Sequence, residues 1–433
     1  MNKTVMMLAA VFVAAAFVPE AAALPSFARQ TGMACSACHQ QHFPVLNKFG
    51  RAFKASGYTM MGTQGKVEGD NLSIPDTLNG AILVKVRYQK DNTAATDNVA
   101  AGTANTLGDG QLQFGDELSL FFGGRVGDNL GFLFEGNTVA TAGSLMAGLK
   151  IPIMFDAGAT RLSIIPFTTD ALGVQYGYEL SSGGVLRANR WAEHRRETSA
   201  VQYNADQNNV PLSKANTGAA TGFALVAQND IGYVNFTKWS PNYAMGGNGS
   251  SINSFDMSSR YFRIAATPSV RDWDMVVGFG VMGGESLVTD TSLAFPVVAS
   301  LWETKQTFAD FQAHGSVGSN DLGVYAQYAK APIKTTAAVG SIYGADVTDR
   351  KAFTLGADYS VIPNVLSLGA AYRKANNGAA PTANGDDALT FTAVYDLAMN
   401  VALHANYSKY KGTSRNVVGN QTSLYTLQLE AGW

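Results

Sequence analysis

Apolar and polar residues alternate with a period of two along much of the chain. The pattern is clearest at the C-terminus, where the apolar positions are Tyr425, Leu427, Leu429, Ala431 and Trp433, and every residue between them is polar or glycine. A period of two predicts β-strands with one apolar and one polar face. The same alternation recurs in residues 353–360, 366–373 and 401–408.

The connections between these segments favour a membrane barrel over a soluble β-sandwich, which also alternates. A tyrosine closes each apolar face, at Tyr359, Tyr372, Tyr407 and Tyr425, as an interfacial aromatic girdle requires. Short turns and long outer loops are the rule in outer-membrane barrels. Short turns fall near 229–230, 268–272, 317–321, 362–364 and 396–400, and long Gly- and Asn-rich stretches near 181–220, 240–256, 284–299, 331–351, 375–386 and 411–419.

This spacing predicts an all-β fold, an antiparallel outer-membrane barrel of about 16 strands. Toward the start of the chain, strands are expected near 79–90, 112–125, 129–138, 159–166 and 171–180. The stretch 140–158 is open to two interpretations, an extra strand or a loop folded into the lumen. An even strand count places both ends of the barrel on the periplasmic side. Outer-membrane lipid is the expected partner of the barrel's outer face.

The first residues predict export. Lys3 is followed by an apolar stretch from Val5 to Val18 and then by three alanines ending at Ala23, the pattern of a signal peptide with a small-residue cleavage site. The run is too short for a transmembrane helix. We expect cleavage after Ala23 and three regions: a signal peptide at 1–23, a haem segment at 24–70 and a barrel at 71–433.

Both cysteines of the chain lie in one motif, Cys35-Ser36-Ala37-Cys38-His39. The C-x-x-C-H spacing is the attachment signature of haem c: two thiols add to one porphyrin, and the next residue supplies the proximal imidazole to iron. A thioredoxin-like pair is disfavoured because no βαβ unit surrounds it. Zinc is disfavoured because no second Cys/His pair is present. The motif therefore predicts one covalent haem c.

A short basic segment surrounds the motif. Pro44 and Gly57 suggest a helix over about 44–56, and Leu46, Phe49 and Phe53 form a stripe able to pack on a porphyrin. Residues 24–66 carry a charge of +5 with no acid, which leaves −7 after residue 66. Because so short a segment cannot enclose a haem alone, it is expected to act as a plug in the barrel.

The segment also carries a longer pattern of residues. The residues are 25–32 (PSFARQTG), 35–39 (CSACH), Gln41, Pro44, Leu46-Asn47, Phe49-Gly50-Arg51, Phe53-Lys54 and Gly57-Tyr58-Thr59. In this pattern residues 24–60 resemble the haem segment of the fused monohaem cytochrome–porins, the outer-membrane iron oxidases of iron-oxidising bacteria.

The resemblance implies an Fe(II)-oxidising oxidoreductase of the cytochrome c type, which takes electrons from extracellular Fe(II) and delivers them to a periplasmic carrier. Two alternatives stay open: a passive porin in which the haem segment is a gate, and an outward-running electron conduit. Nucleic acid is not an expected partner, because the net charge is −2 and only 15% of residues are charged.

The sixth haem ligand has candidates in two parts of the chain. Met60 or Met61, which follow the helix after Gly57, are the preferred distal ligands, and His404 is a candidate from the barrel. A five-coordinate iron is the alternative, because methionine is often only packing. Weaker candidates for Fe²⁺ contact are the acidic residues of predicted outer loops, Asp91, Asp97, Asp109, Glu285, Asp290, Asp346, Asp349, Asp386 and Asp387.

Overall fold

The computed structural model of the 433-residue chain describes eleven stretches of residues. The expected signal peptide, with its cleavage site after Ala23, lies outside them. The described residues are 25–41, 43–93, 108–138, 146–170, 172–182, 218–242, 256–289, 299–333, 340–343, 347–416 and 420–433.

The chain forms a closed barrel of 16 antiparallel strands, as predicted, in which the last strand pairs with the first. Two of the strands are interrupted. The strands are β1 (Gly80–Asp91), β2 (Gln111–Gly127), β3 (Leu130–Asn137), β4 (Met146–Lys150 and Ile153–Ala157), β5 (Thr160–Thr169), β6 (Ala220–Asn229), β7 (Gly232–Ser240), β8 (Ser259–Ala266 and Ser269–Val270), β9 (Trp273–Gly283), β10 (Gln306–Val317), β11 (Asn320–Ala331), β12 (Arg350–Ile362), β13 (Leu366–Asn376), β14 (Asp387–Ala398), β15 (Val401–Lys411) and β16 (Ser423–Gly432).

The alternation in the sequence becomes an apolar outer face and a buried inner face. On β16, Tyr425, Leu427 and Leu429 point outward and are exposed, whereas Gln428 and Glu430 point inward and are buried. Apolar side chains toward the surroundings and polar ones toward the lumen are the arrangement of an outer-membrane barrel. The protein is therefore placed in the outer membrane. Among the described residues, no helix is long and apolar enough to cross a bilayer.

One predicted strand is wrong, although the strand count is right. Residues 171–180 were expected to cross the membrane, but Val174–Tyr176 is a turn of 3-10 helix, and Tyr178 is buried inside the barrel. Residues 146–157 supply the missing strand, β4, so the strand interpretation of 140–158 is the correct one. Pro152 obscured it, because proline cannot donate to a strand ladder and separates the two halves of β4.

The lumen has an aromatic side and a polar side. On the polar side, Lys85 Nζ lies 2.7 Å from Glu117 and 3.6 Å from Glu430, and Arg87 Nη2 donates to Gln428 at 2.7 Å. On the other side, residues 172–182 pack on the inner faces of β5–β12 in one apolar cluster. Its large members are Ile165, Phe167, Val174, Tyr176, Tyr178, Leu180, Tyr233, Trp239, Tyr261, Phe308, Ile342 and Tyr343.

The N-terminal segment, residues 25–66, contains two helices, α1 (Pro25–Thr31) and α2 (Lys48–Ala55). The helix expected from Pro44 begins later, because the Gln40 N–H donates to the Val45 carbonyl at 2.8 Å and closes a turn over that stretch. The side chain of Asn47 then caps α2 by accepting from the Gly50 N–H at 2.9 Å. A hairpin of Lys66–Gly69 and Leu72–Pro75 spans the boundary expected at residue 70.

Outside the barrel wall, three short strands form a small sheet in the long connections. They are Glu285–Thr289, Ala299–Glu303 and Gly340–Ser341. A further turn of 3-10 helix, Thr413–Asn416, lies between β15 and β16.

Candidate functional site

One helical turn brings together the three residues of the C-x-x-C-H motif. The N–H groups of Cys38 and His39 both donate to the Cys35 carbonyl, at 3.0 and 2.9 Å. All three side chains are half-buried, and neither thiol takes part in a disulfide. The arrangement follows from the sequence, because a spacing of three residues returns the second thiol to the side of the first in a helical turn.

These donors fit a c-type haem. The cofactor needs two reduced thiols and one imidazole within reach of solvent during attachment, and Cys35, Cys38 and His39 meet that requirement. Burial raises the pKa of the Cys38 thiol above its ordinary 9.0. The ring of Phe43 meets the His39 ring edge-on at 5.3 Å. In the part of the chain that is described, no cluster of three or more His, Cys, Asp or Glu side chains is arranged to hold a metal ion.

The backbone of Leu46 connects this turn to the barrel. His39 and Leu46 form an antiparallel bridge, and the Leu46 carbonyl accepts from Arg51 Nη1 at 3.0 Å. The Leu46 N–H donates to Ser182 Oγ at 2.9 Å, in the inward segment 172–182. Through Leu46, the backbone of His39 is therefore connected both to α2 and to the inward segment 172–182.

Arg51 is the principal anchor of the segment. Its guanidinium forms an ion pair with Asp274 on the inner face of β9, and only 4% of the residue is exposed. Burial lowers the pKa of Arg51 to about 10, so the side chain stays charged at neutral pH. A buried guanidinium without its carboxylate would be costly, which makes this pair decisive for the docked position.

Further contacts place the segment at the short-turn end of the barrel. Lys48 Nζ donates to Ser269 Oγ at 2.9 Å, and Gln41 Nε2 donates to the Asp321 carbonyl at 2.9 Å. The Ala55 carbonyl accepts from Gln228 Nε2 at 3.1 Å. Ser269, Asp321 and Gln228 all adjoin short turns, and short turns are periplasmic in such barrels.

The attraction between the basic segment and the acidic barrel depends on fewer ion pairs than the net charges suggest. Of the described basic side chains in the segment, Arg51 pairs directly with the wall, whereas Arg29 donates to the Gly80 carbonyl. Burial lowers the pKa of Lys54, and the nearby charge of Glu179 opposes that shift. Lys66 pairs locally with Glu68 at 3.8 Å.

The apolar stripe predicted to cover a porphyrin is divided. Phe53 is buried in the segment's own core, with ring centroids 5.0 Å from Phe27 and 5.9 Å from Tyr58. Phe27 and Tyr58 stack at 5.1 Å. Phe49 is 36% exposed and Leu46 half-buried, so these two residues and not Phe53 are available to a flat ligand.

The two methionines considered as distal ligands lie beside α1. Gln30 Nε2 donates to the carbonyls of Tyr58 and Met60, at 2.6 and 2.8 Å, which brings this stretch to the helix that precedes the Cys35 turn. Met60 and Met61 are half-buried, and their role as ligands stays a prediction. His404 faces the lumen as expected, on β15, with Nε2 4.0 Å from Glu430.

Several outer acidic residues are engaged by basic partners. Asp349 lies 2.8 Å from Lys330, Asp387 lies 3.2 Å from Lys374, and Asp386 is shared by Arg373 and Arg415. These ion pairs weaken the interpretation of those three side chains as Fe²⁺ contacts. Asp97, Asp290 and Asp346 lie outside the described residues.

Sequence reasoning missed a buried charge cluster in the lumen, which is formed by Arg263, Asp310 and Glu179. Arg263 binds Asp310 through Nη1 at 2.6 Å and Nη2 at 2.9 Å, and its Nε lies 2.7 Å from Glu179. Tyr233 donates to Glu179 at 2.6 Å. One cation is thus shared by two carboxylates, and the cluster fixes residues 172–182 inside the lumen. A lone arginine at an inward strand position was the available signal.

No family model and no curated protein matches the sequence. Among solved structures, the chain is similar to an anion-selective porin from Comamonas acidovorans, with a TM-score of 0.46 and 14% identity over 82% of this chain and 99% of that one. It is also similar to OmpT of Vibrio cholerae, with a TM-score of 0.42 and 11% identity over 85% of this chain and 100% of that one. A third is the outer-membrane channel DcaP of Acinetobacter baumannii, with a TM-score of 0.44 and 11% identity over 82% of this chain and 97% of that one.

Proposed function

We propose that this protein is an outer-membrane electron-transfer cytochrome, which oxidises extracellular Fe(II) and passes the electron inward to a periplasmic carrier. The observation that carries the proposal is the location of the C-x-x-C-H turn. The turn does not extend away from the barrel: Arg51, Leu46 and Ser182 join it to the inner wall near the periplasmic turns. Fe(II) is proposed as the substrate because residues 24–60 resemble the haem segment of the fused cytochrome–porins.

In this proposal Cys35 and Cys38 hold a haem c and His39 is its proximal ligand. When bound, the haem supplies one-electron redox chemistry at its iron. The chain's own contribution is orientation: the bridge between His39 and Leu46, with Arg51 on the Leu46 carbonyl, holds the imidazole in place. The barrel crosses the apolar band, so that the donor meets the segment through the lumen and the acceptor meets it from the periplasmic end.

The location also suits the substrate. Each Fe²⁺ that becomes Fe³⁺ releases one electron, and Fe³⁺ precipitates near neutral pH. A cell therefore gains by leaving the metal outside and importing only the electron. A periplasmic carrier would meet the segment at the short-turn end, where Lys48 and Gln41 contact the wall.

Anaerobic addition of Fe(II) to intact cells tests the proposal. The absorption bands of reduced haem c are expected to appear in cells with the wild-type protein and to be absent in cells with His39→Ala. A His39→Ala protein that is reduced at the wild-type rate would contradict the role of the haem. Oxidation of the reduced haem by external Fe(III), without any reduction by Fe(II), would favour the outward-running conduit.

A passive channel is the second candidate, and the barrel itself favours it. A barrel of 16 strands is wide enough for an aqueous path, and its inner face is polar over β13–β16 and β1–β2. Single-channel conductance in planar bilayers separates the two functions. Steady porin-like conductance from protein with full haem content, together with no response to Fe(II), would support the channel.

A further inference from the structure

A groove on the outer face of β7, β8 and β9 lies at the end opposite to the N-terminal segment. It has a volume of about 540 Å³ and is lined by Phe236, Arg260, Phe262, Val281 and the Gly283–Gly284 pair, together with Ser258 and Met282. Phe236 and Phe262 are opposite each other in the strand register, and Val281 follows on β9. These outward side chains are partly exposed, as expected for a lipid-facing surface.

Two cations stand side by side at the outer end of this groove. Lys238 on β7 and Arg260 on β8 are directly paired in the antiparallel register, and both point outward. Like charges at directly opposed positions destabilise a sheet unless an anion lies between them. Within the described part of the chain, neither side chain forms an ion pair or a side-chain hydrogen bond.

Other outward lysines at the same end of the barrel are neutralised by acids. Lys330 pairs with Asp349 at 2.8 Å, and Lys374 pairs with Asp387 at 3.2 Å. Lys330 is also directly opposed to an outward cation, Lys351 on β12, and Asp349 lies beside that pair. Among the described residues, the pair of Lys238 and Arg260 has no such carboxylate. The unbalanced charge at Lys238 and Arg260 is therefore a local feature of β7 and β8 and not a general property of this rim.

The backbone keeps the space beside the two cations open. Gly283 is the register partner of Arg260 on β9, and a side chain added there would meet no atom within 4 Å. On the other flank, Lys238 is opposite Phe223 of β6, another outward aromatic residue. The two charges thus lie between an open position and an apolar one, at the outer edge of the apolar band.

We propose that this groove binds a phosphate-bearing lipid of the outer leaflet. One acyl chain lies along Phe236, Phe262 and Val281, and a phosphate group bridges Lys238 and Arg260, where the guanidinium offers two parallel N–H donors. The long connections lead from this end of the strands, so the site faces the external leaflet. A soluble phosphate would leave the apolar groove empty, whereas an amphiphile occupies both parts.

Native mass spectrometry of the full-length protein, purified in a zwitterionic detergent, tests this site. The probe is lipid A with two phosphates, compared with the same lipid from which both phosphates have been removed. We expect one bisphosphorylated lipid A per barrel, with affinity at least about tenfold above that of the dephosphorylated lipid. In Lys238→Gln/Arg260→Gln, that preference should be lost.

The matched control is Lys330→Gln/Lys374→Gln, which removes two outward lysines from the same end. It should retain the lipid, and an equal loss in both double variants would overturn the proposal. A second variant, Phe236→Ser/Phe262→Ser, keeps both charges and should bind less tightly; unaltered affinity would overturn the acyl-chain contact. Displacement of lipid A by millimolar inorganic phosphate, or a barrel dimer that excludes lipid, would also overturn it.

Thermal midpoints distinguish loss of the lipid site from misfolding of the variant. Because Lys238 and Arg260 repel each other, their double replacement should not lower the thermal midpoint in lipid-free detergent. It should instead abolish the rise in midpoint that bisphosphorylated lipid A produces in the wild type. A variant that still shows the full rise would contradict the site, and one that fails to form a heat-modifiable barrel would contradict the repulsion.

Discussion

The N-terminal segment and the barrel wall are ordered by different means. Each wall strand is paired on both sides, and its apolar residues have a defined place on the outer face. The segment has only α1, α2 and a small core of Phe27, Phe53 and Tyr58. Helices this short are marginal in water by themselves, so the segment depends on side-chain contacts with the wall. We expect the wall to form without the segment.

This asymmetry has a direct consequence for function. Changes in residues 25–66 should alter the cofactor and the docking of the segment and leave the barrel assembled. Changes in the wall residues that receive the segment should alter its position without touching Cys35, Cys38 or His39. The predictions below test this one-way dependence.

The largest expected effect is on the cofactor. Cys35→Ala/Cys38→Ala should abolish covalent haem completely, because these are the only two cysteines in the chain. Haem-stained denaturing gels should show no signal, while the heat-modifiable mobility of the barrel persists. Ser36→Ala, an exposed change within the same motif, should keep the stain. A covalent stain in the double variant would contradict the haem assignment.

The docking of the segment should fail when its buried ion pair is broken. Removal of one partner from a buried pair costs about 3–5 kcal/mol, so Arg51→Ala should release the segment and raise single-channel conductance severalfold. The exchange Arg51→Asp/Asp274→Arg should restore part of the wild-type value. Arg161→Ala, which breaks an exposed pair with Asp156 at 2.9 Å, should have little effect. Wild-type conductance in Arg51→Ala would show that the segment is held by other contacts.

The wall was predictable from the sequence because its signal is repeated. Every strand supplies its own period of two and its own turn, so an error at one strand leaves the others intact. The exception is instructive: Val174, Tyr176 and Tyr178 alternate like a strand but bury their side chains inside the lumen, where apolar residues are equally at home. Pro152 meanwhile concealed a real strand.

The motif of the segment was predictable, but its docking was not. Cys35, Cys38 and His39 are recognisable from spacing alone, because the chemistry of attachment is local. The partners that orient them, Ser182 and Asp274, are far away in the chain and belong to residue types that are common everywhere. Only the closed topology brings them to Leu46 and Arg51, and no periodicity in the sequence carries that information.

The distal ligand offers a sharper test of the segment alone. Met60→Leu/Met61→Leu should remove the methionine-to-iron absorption feature of the oxidised haem and lower its reduction potential, within the range of about 0.8 V that axial ligands control. Barrel stability should not alter. Met33→Leu, at a position 42% exposed, is the matched control and should keep the wild-type spectrum. A wild-type spectrum in the double variant would make this ligand prediction wrong.

The smallest effect is expected at the outer rim of the wall, far from the segment, and it depends on pH. Burial by itself would raise the pKa of Asp386, but the charges of Arg373 and Arg415 outweigh it and hold that pKa below the ordinary 3.8. A carboxyl with a lowered pKa stabilises the fold above pH 3.8, and that contribution is lost as the pH falls through the lower, folded value. By pH 3 the loss should reach at most about 1 kcal/mol, because one pKa unit is worth about 1.4 kcal/mol and pH 3 lies less than one unit below 3.8.

Thermal midpoints measured between pH 6 and pH 3 check this difference at the rim. The wild type should lose stability at the acid end, whereas Asp386→Asn should start lower and decline less, because it has no carboxylate to protonate there. Asp387→Asn, whose partner Lys374 is 70% exposed, should follow the wild type. The haem spectrum should stay constant throughout, since Asp386 lies at the long-connection end of the barrel, opposite to the end that holds the N-terminal segment. An equal acid loss in Asp386→Asn would place the titrating group elsewhere, and a parallel change in the haem spectrum would show that wall and segment are coupled after all.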